Sequence, residues 1–148
     1  MPTIWARWSL FGLIGLLLSG AGVAGDDDIL HLRQVSESTY VLVGPLTNRT
    51  PENLGNNATF GFVVTDEGVV LIDPGGSNKG AAAIERSIRQ ITDEPVKAVI
   101  NTGGQDHRWL GNGYFRQRGA RITASRSAVE DQRARSQDQL IALRTLIG

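Results

Sequence analysis

Asn101-Thr102-Gly103-Gly104-Gln105-Asp106-His107-Arg108-Trp109-Leu110-Gly111-Asn112 is the stretch on which the reading of this chain turns. It follows Val96-Lys97-Ala98-Val99-Ile100, where Val96, Ala98 and Ile100 alternate with their neighbours as a strand does. It leads into a segment, Trp109 to Arg118, that carries Leu110, Tyr114 and Phe115 on one side as a short helix does, with Gly119 as its stop. Polar and ionisable side chains therefore sit where a strand hands over to a helix, the place where α/β proteins gather ligands.

Working towards the N-terminus, Pro95 closes a predicted helix in which Ile84, Ile88 and Ile91 form one stripe and Glu85, Arg86 and Arg89 lie off it. Ser77 or Asn78 can cap its start. Ahead of it, Asp73-Pro74-Gly75-Gly76 ends a second strand, Val69 to Ile72. Thr59 to Val64 is its hairpin partner across Thr65-Asp66-Glu67-Gly68, where Gly68 supplies a positive φ. Both runs are almost continuously apolar, so they are expected to be buried on both faces. Val35 to Val43 reads as one more strand, stopped by Gly44-Pro45, and Thr47 to Asn57 as a polar loop that could border a site. Towards the C-terminus, Arg121 to Ala124 is a brief strand. Ser127 and Glu130 read as a capping box opening a helix to about Ile147, whose Leu140, Ile141, Leu143, Leu146 and Ile147 expose more apolar surface than a terminal helix should. That surface points to self-association through this helix.

The bulk properties narrow the function. With 148 residues, Lys+Arg 15 and Asp+Glu 15, the chain is sized for one modest domain and offers no basic field for nucleic acid. It has no cysteine, which excludes disulfides, thiolate metal sites and a cysteine nucleophile. Met1 to Arg7, the apolar run Ser9 to Ser19 and the small residues Gly22-Val23-Ala24 have the layout of a secretory signal, with cleavage expected after Ala24. The apolar run is short for a membrane anchor, so no stable span is expected after cleavage. Residues 25–34 then read as a mobile acidic mature N-terminus and 35–148 as the folded domain. Removing the signal takes Arg7 and leaves one more acidic than basic side chain. The protein is expected to be exported, to a periplasm or the extracellular space.

The hairpin ending in Leu71-Ile72-Asp73-Pro74-Gly75, the helix after it, and the strand ending in Asn101-Thr102 before Leu110-Gly111-Asn112 together resemble the metallo-β-lactamase superfamily, over about Val35 to Ala124. The resemblance implies an α/β fold with a mixed sheet and flanking helices, here half of an αββα sandwich. It also implies metal-dependent hydrolysis of an ester, thioester or amide, with zinc or another divalent metal as cofactor and a small molecule as substrate or ligand. The superfamily's H-x-H-x-D-H motif falls on the opening stretch. Aligned without a gap, its ligand positions carry Gly103, Gln105, His107 and Arg108; shifted by one residue, Asp106-His107 restores the aspartate-histidine pair, and Thr102 and Gly104 replace the leading histidines. The only other histidine is His31. A catalytic zinc generally takes three protein ligands and a water, so the usual site is expected to be degenerate. Asp73, Asp106 and His107, with Gln105, remain as a metal set tolerant of harder cations, and Asp106 and His107 as the catalytic candidates.

Each of these residues also has a plain structural role open to it. His107 can be a helix-start residue bonded to Asp106 or a carbonyl, Asp73 a turn former, and Gly103-Gly104 a tight turn or an anion nest. Arg108 and Trp109 can line a pocket, or be an exposed arginine and a core tryptophan. Without the metal, the same fold can serve as a non-catalytic periplasmic binding or interaction protein, or the chain can be a truncated fragment of the whole domain.

Overall fold

The two apolar strands read between Thr59 and Ile72 form the middle of a six-stranded sheet in the computed structural model, which describes residues 29–147. The signal segment and its cleavage site lie outside those residues. Strands β1 (His31–Gln34), β2 (Thr39–Val43), β3 (Thr59–Thr65) and β4 (Gly68–Ile72) pair antiparallel, and β5 (Val96–Asn101) and β6 (Arg121–Ala124) add in parallel. The order in space is the order in sequence. Helix α1 (Asn78–Arg89) carries the chain from β4 to β5, α2 (Asn112–Arg116) from β5 to β6, and α3 (Arg126–Ile147) follows β6. No helix among the described residues is long and apolar enough to cross a membrane.

One face of the sheet makes the core. Leu42, Phe60, Phe62, Leu71 and Val99 point to the side where Ile84 and Ile88 of α1 and Phe115 of α2 pack, and all are at most 1% exposed. Burying each such side chain is worth about 1.5–3 kcal/mol, enough for this handful to hold both helices down. Tyr40 stacks on Phe62 at 4.9 Å, extending the same face to the edge. Val63, Val70 and Ile72, on the opposite face, stay half-buried, and the register aligns Ile72 with Ile100, which is 40% exposed. Burial on both faces is therefore not found among the described residues, because α1 and α2 lie on the same side. The same fact sets the faces of β5: Val99 is fully buried, while Ala98 is half-buried and Ile100 is 40% exposed.

Several boundaries move for local reasons. Residues 31–34 are not a mobile tail: they pair with Val43 to Tyr40 as the edge strand, and Leu30 is buried beside them. The expected strand from Val35 is broken by a tight turn in which Val35 N–H donates to Thr39 O at 2.8 Å. Helix α1 stops at Arg89, leaving Ile91 outside it and 39% exposed. The cap of α1 is Ser77, whose hydroxyl accepts from Gly80 N–H at 2.9 Å. The cap of α3 is Ser125 rather than Ser127, accepting from Ala128 N–H at 3.1 Å. The predicted helix from Trp109 is shortened to α2 because its first turn is diverted. Gly75 N–H donates to His107 O and Gly111 N–H to Gly75 O, at 3.0 and 2.9 Å, and a Cβ on Gly111 would lie 2.1 Å from Pro74 O. The loop after β4 and the loop after β5 are thus laced together, which brings the two candidate aspartates to one end of the sheet.

Candidate functional site

Asp73 leaves β4 with φ 60°, a left-handed conformation that an aspartate tolerates better than most residues. It is 7% exposed, and the sequence leaves it either a metal ligand or a residue that closes its own turn. Instead its carboxylate reaches the end of β5, where Thr102 N–H donates to Oδ1 at 2.8 Å and the Thr102 hydroxyl to Oδ2 at 2.7 Å. Arg108 Nη1 donates in turn to the Thr102 hydroxyl at 3.0 Å.

Asp106 opens a 3-10 turn, Asp106–Arg108, a few residues beyond β5. Its Oδ1 accepts from Arg49 Nη2 in an ion pair and from His107 N–H at 2.8 Å, and the His107 ring Nδ1 lies 3.2 Å away. Arg49 Nη2 also lies 3.4 Å from that ring nitrogen. Burial alone would push the Asp106 pKa up, but the His107 and Arg49 hydrogen bonds and the Arg49 charge outweigh it and hold the carboxyl at about 2. Asp106 is therefore ionised at any ordinary pH. The side chains of Asp106 and His107 are 12% and 16% exposed, so both still reach solvent.

The sequence-predicted residues separate into two groups. Asp106 and His107 come together, while Asp73 belongs to a second cluster with Thr102 and Arg108, and Gln105 is exposed, with its carbonyl accepting from Arg108 N–H at 2.9 Å. Among the described residues no group of three or more His, Cys, Asp or Glu side chains is placed to hold a metal ion. The described residues do not fit the three-ligand zinc centre that the resemblance implies: Asp106 Oδ1 is ion-paired with a guanidinium, and the two oxygens of Asp73 each accept a hydrogen bond from Thr102.

Two residue groups escaped the sequence reading. Arg49 comes from the polar loop between β2 and β3, 57 residues before its partner; the loop was read as a possible border of a site, but nothing in its sequence singles out Arg49. Asn53 builds that loop: its carboxamide accepts from Thr50 N–H and Gly55 N–H, each at 3.0 Å, and donates to Asn48 O at 2.8 Å. The other group lies on α3. Gln132 Nε2 donates to Gly103 O at 3.0 Å, Gln139 Nε2 to Gly104 O at 2.8 Å, and Trp109 Nε1 to Gln139 Oε1 at 2.9 Å. A Cβ on Gly104 would lie 2.1 Å from Asp131 Oδ2, so this glycine is needed for the helix to approach. Gly103-Gly104 serves here as a seat for α3, with its carbonyls accepting from Gln132 and Gln139. The indole of Trp109, far from being only core, is a polar tether to the same helix.

Residues 55–123 match the family model described as the metallo-beta-lactamase superfamily. No curated protein matches the chain by sequence. Among solved structures, a metallo-beta-lactamase from Hirschia baltica superposes with TM-score 0.59 at 14% identity, covering 72% of this chain and 48% of its own. One from Pontibacter korlensis gives 0.56 at 20% identity, covering 70% and 47%. The metallo-beta-lactamase FIM-1 from Pseudomonas aeruginosa, in its mono-zinc form, gives 0.54 at 13% identity, covering 67% and 43%. This chain spans about half the length of each.

Proposed function

Starting from a chain that carries the metallo-beta-lactamase superfamily's fold and matches its family model over residues 55–123, we propose that it is an exported hydrolase-like protein whose loop site binds a small molecule without metal-dependent turnover. The observation that carries this reading is the Arg49–Asp106 ion pair, which occupies the carboxylate that a metal would need. The exposed edge of His107 and the polar loops around it are the surface offered to a ligand. Export rests on the layout of residues 1–24, and self-association on Leu140, Ile141 and Leu146 of α3, which are 44%, 63% and 49% exposed.

A second reading has one observation in its favour. Asp106 remains ionised beside an imidazole, and an aspartate-histidine pair is the kind of donor set from which a divalent site with Asp73 and Gln105, or catalysis by Asp106 and His107, would be built. The two are separated by assaying purified mature protein for hydrolysis of chromogenic ester, thioester and amide substrates, with zinc, with manganese and with chelator. The binding reading expects no turnover under any condition, with unchanged results in Asp106→Ala and His107→Ala. Turnover that disappears in those variants would replace it with the enzyme reading.

A further inference from the structure

We infer that Arg49 is the built-in cation of this loop site, and that its guanidinium, seated on Asp106 beside the His107 ring, closes the site to divalent metal ions. Three features carry it. First, Asp73 and Asp106 are the buried acidic residues among those described, and each has an arginine: Asp106 by direct ion pairing with Arg49, Asp73 through the Thr102 hydroxyl that Arg108 grips. Second, a guanidinium does not deprotonate in proteins, so Arg49 cannot yield by losing a proton; an incoming cation must displace the whole side chain and meets its charge until it does. Third, Arg49 is not on a loose loop. The Asn53 carboxamide ties the segment to Asn48, Thr50 and Gly55, and Asn57 Nδ2 donates to Thr47 O at 2.8 Å, so the backbone that carries Arg49 is held from both sides. Asp106 and His107 are then a two-donor site held shut.

The idea uses the same ion pair as the binding proposal without depending on it. Hydrolysis by metal-free wild-type protein would sink that proposal and leave this one standing, whereas zinc binding by the wild type without turnover would do the reverse.

The test is thermal denaturation and competition for Zn²⁺ against a colorimetric chelator, on the wild type and on Arg49→Met, Arg49→Lys and the double variant Arg49→Met/Asp106→Asn, each checked for folding by circular dichroism. For the wild type, added Zn²⁺ or EDTA should move the melting temperature by less than about 1 °C, since only a ligand of the native state shifts it. Arg49→Met should bind Zn²⁺ roughly tenfold or more tighter than the wild type. Arg49→Lys should stay closed, and the double variant should lose what Arg49→Met gained. Zinc stabilisation of the wild type, or an Arg49→Met protein that folds and binds Zn²⁺ no better, would overturn the inference. Should Arg49→Met fail to fold, Arg49→Gln, which keeps a hydrogen-bond donor for Asp106 without the charge, carries the same expectation: tighter Zn²⁺ binding than the wild type supports the inference and unchanged binding overturns it.

Discussion

Asp73 and Asp106 stand at the carboxyl ends of neighbouring parallel strands, both buried, yet they are stabilised by different physics. Asp106 is matched by a full opposite charge imported from a loop 57 residues upstream. Asp73 is matched by a neutral hydroxyl and a backbone N–H from Thr102, with a guanidinium only beyond that hydroxyl. The difference separates two ways of keeping an acidic group buried at the end of a sheet. One depends on charge and on a long-range contact; the other depends on hydrogen bonds across a single strand pair.

The comparison breaks first at Arg49. Arg49→Met leaves Asp106 without its countercharge and should cost about 3 kcal/mol, at the lower end for a broken buried pair because Arg49 is 28% exposed; urea denaturation reads this directly, and a loss under ~1 kcal/mol would mean that the pair is energetically idle. Asp73→Ala removes two hydrogen bonds and places alanine in a left-handed conformation, for a loss of about 2.5 kcal/mol, whereas Asp73→Asn, which accepts φ 60° and keeps an acceptor, should lose less than about 1 kcal/mol. Equal losses in the two variants would show that Asp73 needs its charge as Asp106 does.

Acid sharpens the contrast. The folded pKa of Asp106 is depressed from 3.8 to about 2, so its contribution is fully present above pH ~4 and is lost as pH falls through that interval. The amount is about 2 kcal/mol. Stability followed from pH 5 to pH 2 in the wild type and in Asp106→Asn should show this part of the acid limb missing from the variant; identical limbs would refute it. The smallest effect is expected at the relay. Thr102→Val deletes one hydroxyl bond to Asp73 and one from Arg108, while the backbone N–H bond survives, and should cost about 1 kcal/mol by the same denaturation measurement.

Much of the frame was legible along the chain. The apolar runs around Phe60 to Ile72, the turn at Gly68, the cap at Ser77 and the Ile84–Ile88 stripe each follow from local periodicity and turn chemistry, which act over a few residues. Lacing between Gly75, His107 and Gly111, which shortens α2, was not legible, because backbone hydrogen bonds between two loops leave no residue pattern. Nor was the edge strand at His31–Gln34: its sequence looks like a polar tail, and it becomes a strand because β2 offers it an edge.

Sequence by itself determined that this chain has two histidines and that Gln105, Asp106, His107 and Arg108 follow one another in the loop after β5, since an inventory of side chains needs no coordinates. Tertiary structure alone decided what became of the carboxylates that remained. Arg49 finds Asp106 and Thr102 finds Asp73 only after the sheet has set the strand ends side by side, because Coulomb attraction and hydrogen bonding depend on distance in space and are blind to separation along the chain.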